Sequence, residues 1–170
     1  MTLALFTLLH VALSLAGIGA GFVVLFGMLT AKRFDGWTKL FLWTTVATSV
    51  TGFLFPFHRL LPSHMVGVVS LIVLIIAIRA HSRLHLSGAW RKTYVIAAVT
   101  ALYLNVFVLV AQLFLKVPAL RALAPTQSDP PFQITQLVVL VLFLVLGALA
   151  AKRFSRTEPP ANQSFRAIHT

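Results

Sequence analysis

The chain has 170 residues, 59% of them hydrophobic and only 10% charged, far below the roughly 25% charged residues that coat a soluble domain. A water-soluble globule is therefore excluded and a membrane class is implied. Fourteen Lys and Arg against three Asp and Glu give a net charge of +11, but the bases fall in short clusters between apolar runs, which argues for membrane loops and against nucleic-acid binding.

Five segments are long and apolar enough to be set against the about 20 helical residues that cross a ~30 Å hydrocarbon core. The first, residues 3–29, has no basic n-region and stays apolar beyond the about 7–15 residues of a signal peptide's core, so it reads as a retained helix. The second covers residues 40–57. The third, 63–79, is the weak one: Met65 to Ile78 supplies 14 apolar-run residues, about 21 Å of helix. Ser63 after Pro62 can cap its start, Arg79 and Arg83 can snorkel to headgroups, and Ser87-Gly88 supplies a stop. The alternative is four spans with a short or re-entrant third segment. The fourth and fifth cover 93–115 and 134–151, and residues 155–170 read as a tail without regular structure. The expected fold is all-α, a single membrane domain over 1–154 built from five transmembrane helices.

Lys32, Arg33, Lys39, Arg79, Arg83, Arg91, Lys92, Lys152, Arg153, Arg156 and Arg166 fall on one predicted side, and Arg59, Lys116 and Arg121 on the other. Eleven against three places the N-terminus outside and the C-terminus in the cytoplasm. Trp37, Trp90 and Tyr94 fit an aromatic belt at the basic side. "LFGMLTAKRF" at 25–34 and "LVLGALAAKRF" at 144–154 share their Ala-Lys-Arg-Phe ends, which reads as two similar stop-transfer ends, since the match does not extend upstream.

Ala16 and Ala20, and Gly17 and Gly21, are small residues four apart, a spacing that lets helix backbones approach closely; the expectation is packing of the first helix on a neighbour, with dimerisation as the alternative. The second segment carries Thr44, Thr48 and Thr51 on one side, hydroxyls that can bond the carbonyl one turn back. In the fourth, Asn105 and Gln112 are seven apart and should share an inward face, making interhelical hydrogen bonds or, with Tyr103, a polar pocket. No Asp, Glu, Lys or Arg sits in mid-span, which argues against ion-coupled transport and carboxylate acid–base chemistry. The absence of cysteine removes disulfides and thiolate sites.

Of the six histidines, His10, His58 and His64 belong to the outer leaflet. Three imidazoles from three helices suit a metal, and two suit the axial positions of haem b. His10 lies about 10 Å deeper than the helix end, which argues against a matched haem pair; the simpler expectation is a hydrogen bond to a carbonyl or hydroxyl. His81 and His85 are four apart but have no third ligand in reach, so they add interfacial charge.

The longest loop, 116–132, holds Pro118, Pro125, Pro130 and Pro131, with one or two interfacial turns expected over "ALRALA" and Asp129 expected to pair with Arg121 or Arg59. "ALYLNVFVLVAQLFLKVPAL", "LAPTQSDPPF" and "TSVTGFLFPF" resemble stretches of a group of small uncharacterised proteobacterial inner-membrane proteins, over most of residues 10–154. The resemblance implies a bacterial inner membrane and carries no residue role. The functional expectation is a non-enzymatic accessory protein without a cofactor, in contact with lipid and with another membrane protein or a second copy. A haem or metal redox protein using His10, His58 and His64 is one alternative; a small-solute carrier using Asn105, Gln112, Thr44 and Thr48 is the other.

Overall fold

The computed structural model describes residues 2–55, 62–82 and 89–154. Among these the structure is all-helical: α1 (Leu3–Leu29), α2 (Asp35–Gly52), α3 (Pro62–Ser82), α4 (Ala89–Lys116), α5 (Pro118–Leu123) and α6 (Pro130–Phe154). α1, α3, α4 and α6 are long and apolar enough to cross a membrane. The third segment, expected to be the weak one, is thus among the four, its helix running three residues past the expected end. α2 is the helix that stands apart. It begins at Asp35, five residues earlier than expected, and ends at Gly52. Asp35 in its first turn suits the positive end of the helix dipole, and Asp35, Lys39 and its run of hydroxyls make it the polar member of the bundle.

α1 packs most extensively on α2, α3 on α4, and α6 on α4, while α4 also reaches α1. Phe41, Met28, Leu74, Leu102 and Val95 are fully buried where these helices meet. The small residues of α1 set this approach. A Cβ on Gly17 would sit 3.0 Å from Thr44 Oγ1, and one on Gly21 would sit 2.6 Å from Leu102 Cδ1 and 2.9 Å from Phe41 Cε2. α1 therefore lies against α2 at Gly17 and against both α2 and α4 at Gly21.

α1 ends in a Schellman motif. Ala31 takes a left-handed conformation at φ 56, Lys32 N–H donates to Gly27 O at 2.8 Å and Ala31 N–H donates to Met28 O at 3.3 Å. Phe34 folds back so that its ring occupies the space a Cβ on Gly27 would need. The second copy of the same tetrapeptide, 151–154, is helical throughout at the end of α6. Identical residues thus terminate one helix and continue another, which limits the repeat to its sequence.

On the opposite end, Phe114, Ala124 and Phe132 form a separate small core, with the two phenylalanine rings edge to face at 5.5 Å. It holds α5 and the following turn against the ends of α4 and α6. Asp129 does not pair with Arg121: its carboxylate accepts from Thr126 N–H at 2.7 Å and Thr126 Oγ1 at 2.9 Å. The turn's own donors are nearer in sequence, and Pro130 then opens α6 at a position that needs no N–H. The expected cap Ser63, the loop residues Arg59, Arg83, His85 and the tail 155–170 with His169 lie outside the described side chains.

Candidate functional site

Polar side chains inside the bundle form a seam that follows α2. From the basic end outward, Tyr94 Oη donates to Thr38 Oγ1 at 3.3 Å and Asn105 Nδ2 donates to Thr45 Oγ1 at 3.1 Å. Further out, Ser49 Oγ donates to Ser70 Oγ at 3.3 Å, and His10 Nδ1 meets Thr51 Oγ1 at 2.9 Å. The seam spans about 20 Å of helix and ties α2 to α4 twice, to α3 once and to α1 once. Of the threonines singled out from sequence, Thr44 donates to Leu40 O at 2.7 Å, while Thr48 Oγ1 is buried without a hydrogen-bond partner among the described residues.

The expected Asn105–Gln112 face is corrected at its second member. Gln112 is exposed. It lies about 10 Å further out along α4 than Asn105, the same advance that carries α2 from Thr45 to its last residue, Gly52. The neighbour that covers Asn105 has ended by the level of Gln112. The buried carboxamide near that end is instead Gln136 of α6, whose Nε2 donates to Phe107 O at 3.0 Å. Neither Thr45 nor Gln136 was marked as a site residue by its sequence context; Gln136 follows Thr135 in an otherwise apolar run, a signal of the same kind as Asn105.

At the end opposite the basic one, His10 meets the last turn of α2. Thr51 Oγ1 lies 2.7 Å from Ala47 O, a geometry that takes its hydroxyl proton, so Thr51 Oγ1 is placed to accept from His10 Nδ1–H; in the neutral imidazole Nε2 then carries the lone pair. The imidazole stands edge-on to Phe55 at 5.1 Å, and Phe55 contacts Phe6 at 4.8 Å. His64 is buried and lies beside Phe53 with ring centroids 5.7 Å apart. The two histidines thus engage different aromatic residues of the turn that follows α2. His58 lies outside the described residues, and among those described no group of three His, Cys, Asp or Glu side chains converges on a metal-sized point.

At the basic end a half-open cleft lies between the α1–α2 turn and the ends of α3, α4 and α6. Lys32, Arg33, Asp35, Thr38, His81 and Tyr94 line it, with Phe34 and Phe154, the last residues of the two Ala-Lys-Arg-Phe copies, as apolar walls. Arg33 Nη2 pairs with Asp35 Oδ1 at 3.4 Å. His81 stacks on Tyr94 with centroids 5.4 Å apart, and its Nδ1 is buried without a hydrogen-bond partner among the described residues. Two other cations of this end are used to close helix termini: Arg153 Nη1 donates to Leu29 O at 3.2 Å and Arg91 Nη1 donates to Phe154 O at 3.3 Å.

No protein-family model, curated protein or solved structure matches the chain. Four helices of membrane-crossing length and hydropathy, packed around a shared core, define it as a helical-bundle membrane protein.

Proposed function

We propose that this chain is a five-helix protein of a bacterial inner membrane, N-terminus outside and C-terminus cytoplasmic, with a non-enzymatic accessory role in which it binds another membrane protein. The orientation is supported by the eleven Lys and Arg of one side against three of the other. The observation that supports the accessory role is the hydrogen-bonded seam. Bonds at four levels pin α2 to α1, α3 and α4. A carrier must part its helices to expose a polar path, whereas this seam spends its polar groups on holding them together. A rigid bundle suits presenting a surface to a partner rather than alternating between openings.

Two measurements test the proposal. Purification in a mild detergent after cross-linking in native membranes should return a stable second membrane protein in fixed ratio. Recovery of the chain alone, together with solute uptake that is lost in Asn105→Leu, would replace this reading with the carrier. For orientation, a periplasmic reporter fused after Thr170 should be inactive, and activity there would reverse the assignment.

One observation favours a second reading, a haem-binding redox protein. An imidazole whose Nδ1–H is held by a neighbour and whose Nε2 carries a lone pair is prepared to ligate a metal, and the 2.9 Å contact of His10 Nδ1 with Thr51 Oγ1 suits that arrangement in the neutral ring. A Soret band in the purified protein, abolished in His10→Ala, would establish it; a featureless spectrum after haem supplementation would remove it.

A further inference from the structure

We propose that the cleft at the basic end is a binding site for a phosphodiester-type anion, the chemistry offered by a phospholipid headgroup or, more weakly, by free phosphate. The inference is independent of the accessory reading and holds whichever leaflet contains this end of the bundle.

Three features of the cleft point to such a ligand. The first is charge. Lys32 and Arg33 contribute two cations and Asp35 one anion, so the lining carries one net positive charge and matches a singly charged phosphodiester. Asp35 is already held by Arg33, and Lys32 has no acidic partner among the described residues, so an incoming anion takes Lys32 without having to displace a carboxylate. The wider end of the bundle adds Lys39, Arg79, Lys92 and Lys152, a field that concentrates anions at the mouth.

The second is the unused donor site. His81 Nδ1 is buried and has no hydrogen-bond partner among the described residues, and His81 lines the cleft. Burying a polar nitrogen without a partner is costly, and in the tautomer with its proton on Nδ1 the ring can donate to an oxygen acceptor brought into the cleft. The third is size. The cleft has about 230 Å³ of atom-free space, continuous with its surroundings. Lys32 and His81 both line this space, so a phosphate group held by Lys32 can direct one oxygen toward the His81 ring. The Schellman turn makes this presentation fixed: Ala31 at φ 56 and the Lys32 N–H bond to Gly27 O hold the Lys32 backbone at the cleft edge. Trp37 and Trp90, both exposed, mark the same end as an interfacial level.

The test uses the full chain in a neutral detergent, titrated at constant ionic strength with short-chain phosphatidylglycerol in one arm and inorganic phosphate in the other, and followed by thermal unfolding and tryptophan fluorescence. Saturable binding of the lipid alone identifies a headgroup site; saturation by inorganic phosphate identifies a free-anion site. Lys32→Gln, in an exposed turn, should weaken binding about tenfold. His81→Phe, which keeps the ring on Tyr94, should weaken it in the same direction. Lys92→Gln and Lys152→Gln remove the same charge from the same end outside the cleft and should leave affinity within about twofold, well under the tenfold step. The proposal is overturned by no saturable binding in either arm, by equal loss in the Lys92 and Lys152 variants, or by a response to short-chain diacylglycerol, which lacks the phosphate, as strong as that to phosphatidylglycerol.

Discussion

Two glycines of α1, two residues apart, provide an internally controlled test of how the bundle is built. An alanine Cβ at Gly21 would lie 2.6 Å from Leu102 Cδ1 and 2.9 Å from Phe41 Cε2, whereas carbon pairs settle at about 3.5–4.0 Å. Relief requires a movement of about 1 Å. Leu102 and Phe41 are each only 1% exposed, so relief needs a new packing of both side chains within the core or a parting of the helices. Overpacking of this kind costs about 1–3 kcal/mol. At Gly19 a Cβ meets nothing within 4 Å. Both substitutions share the same helix-propensity gain, about 0.5–1 kcal/mol, so it cancels in their difference. Gly21→Ala should therefore be less stable than Gly19→Ala by about 1–3 kcal/mol, with Gly19→Ala neutral or stabilised. Reversible unfolding in mixed micelles by SDS, followed through Trp37, Trp43 and Trp90, measures both. Equal midpoints would refute the close approach of α1 to α2 and α4.

Further outcomes follow from other contacts. In a double-mutant cycle of Thr45→Val and Asn105→Leu, the coupling should be about 0.6 kcal/mol and no more than about 1.7; a coupling of zero in the same unfolding assay would dissolve that level of the seam. Ala31→Gly should raise stability by up to about 1 kcal/mol, because a left-handed alanine carries a penalty of about 1–2 kcal/mol; an unchanged midpoint would contradict the Schellman turn. Phe132→Ala should loosen the small core beneath α5, and limited trypsin digestion should then cut after Arg121 faster than in the parent chain, with no change if α5 is held some other way.

How much of this was legible in the sequence depended on whether a residue's role was set by its own helix or by a neighbour. α1 is apolar from end to end, and its span of 3–29 matches the helix observed. Apolar content marks the second helix at 40–57, five residues later than its observed start. Its start is marked by Asp35 instead, a helix-initiating signal, and its polarity reflects partners that sit on α1, α3 and α4. Thr45 looks like any other hydroxyl until Asn105 is placed opposite it. Gln112 fails for the complementary reason: its angular position on α4 was readable, but the length of the neighbouring helix at that level was not. The basic cleft was beyond reach, since it assembles from four separate chain segments and owes its shape to a left-handed Ala31 that the identical tetrapeptide at 151–154 does not share.

The bond from Arg153 to the terminal carbonyl of α1 joins the end of the last helix to the end of the first. Synthesis proceeds from α1 to α6, so the first helix is made long before the residue that closes its C-terminal end exists. A chain interrupted before Arg153 lacks that closure, and also lacks the Phe154 carbonyl to which Arg91 donates. The last turn of α6 therefore fastens the end of α1 and the start of α4, so these two termini are closed only once α6 is in place.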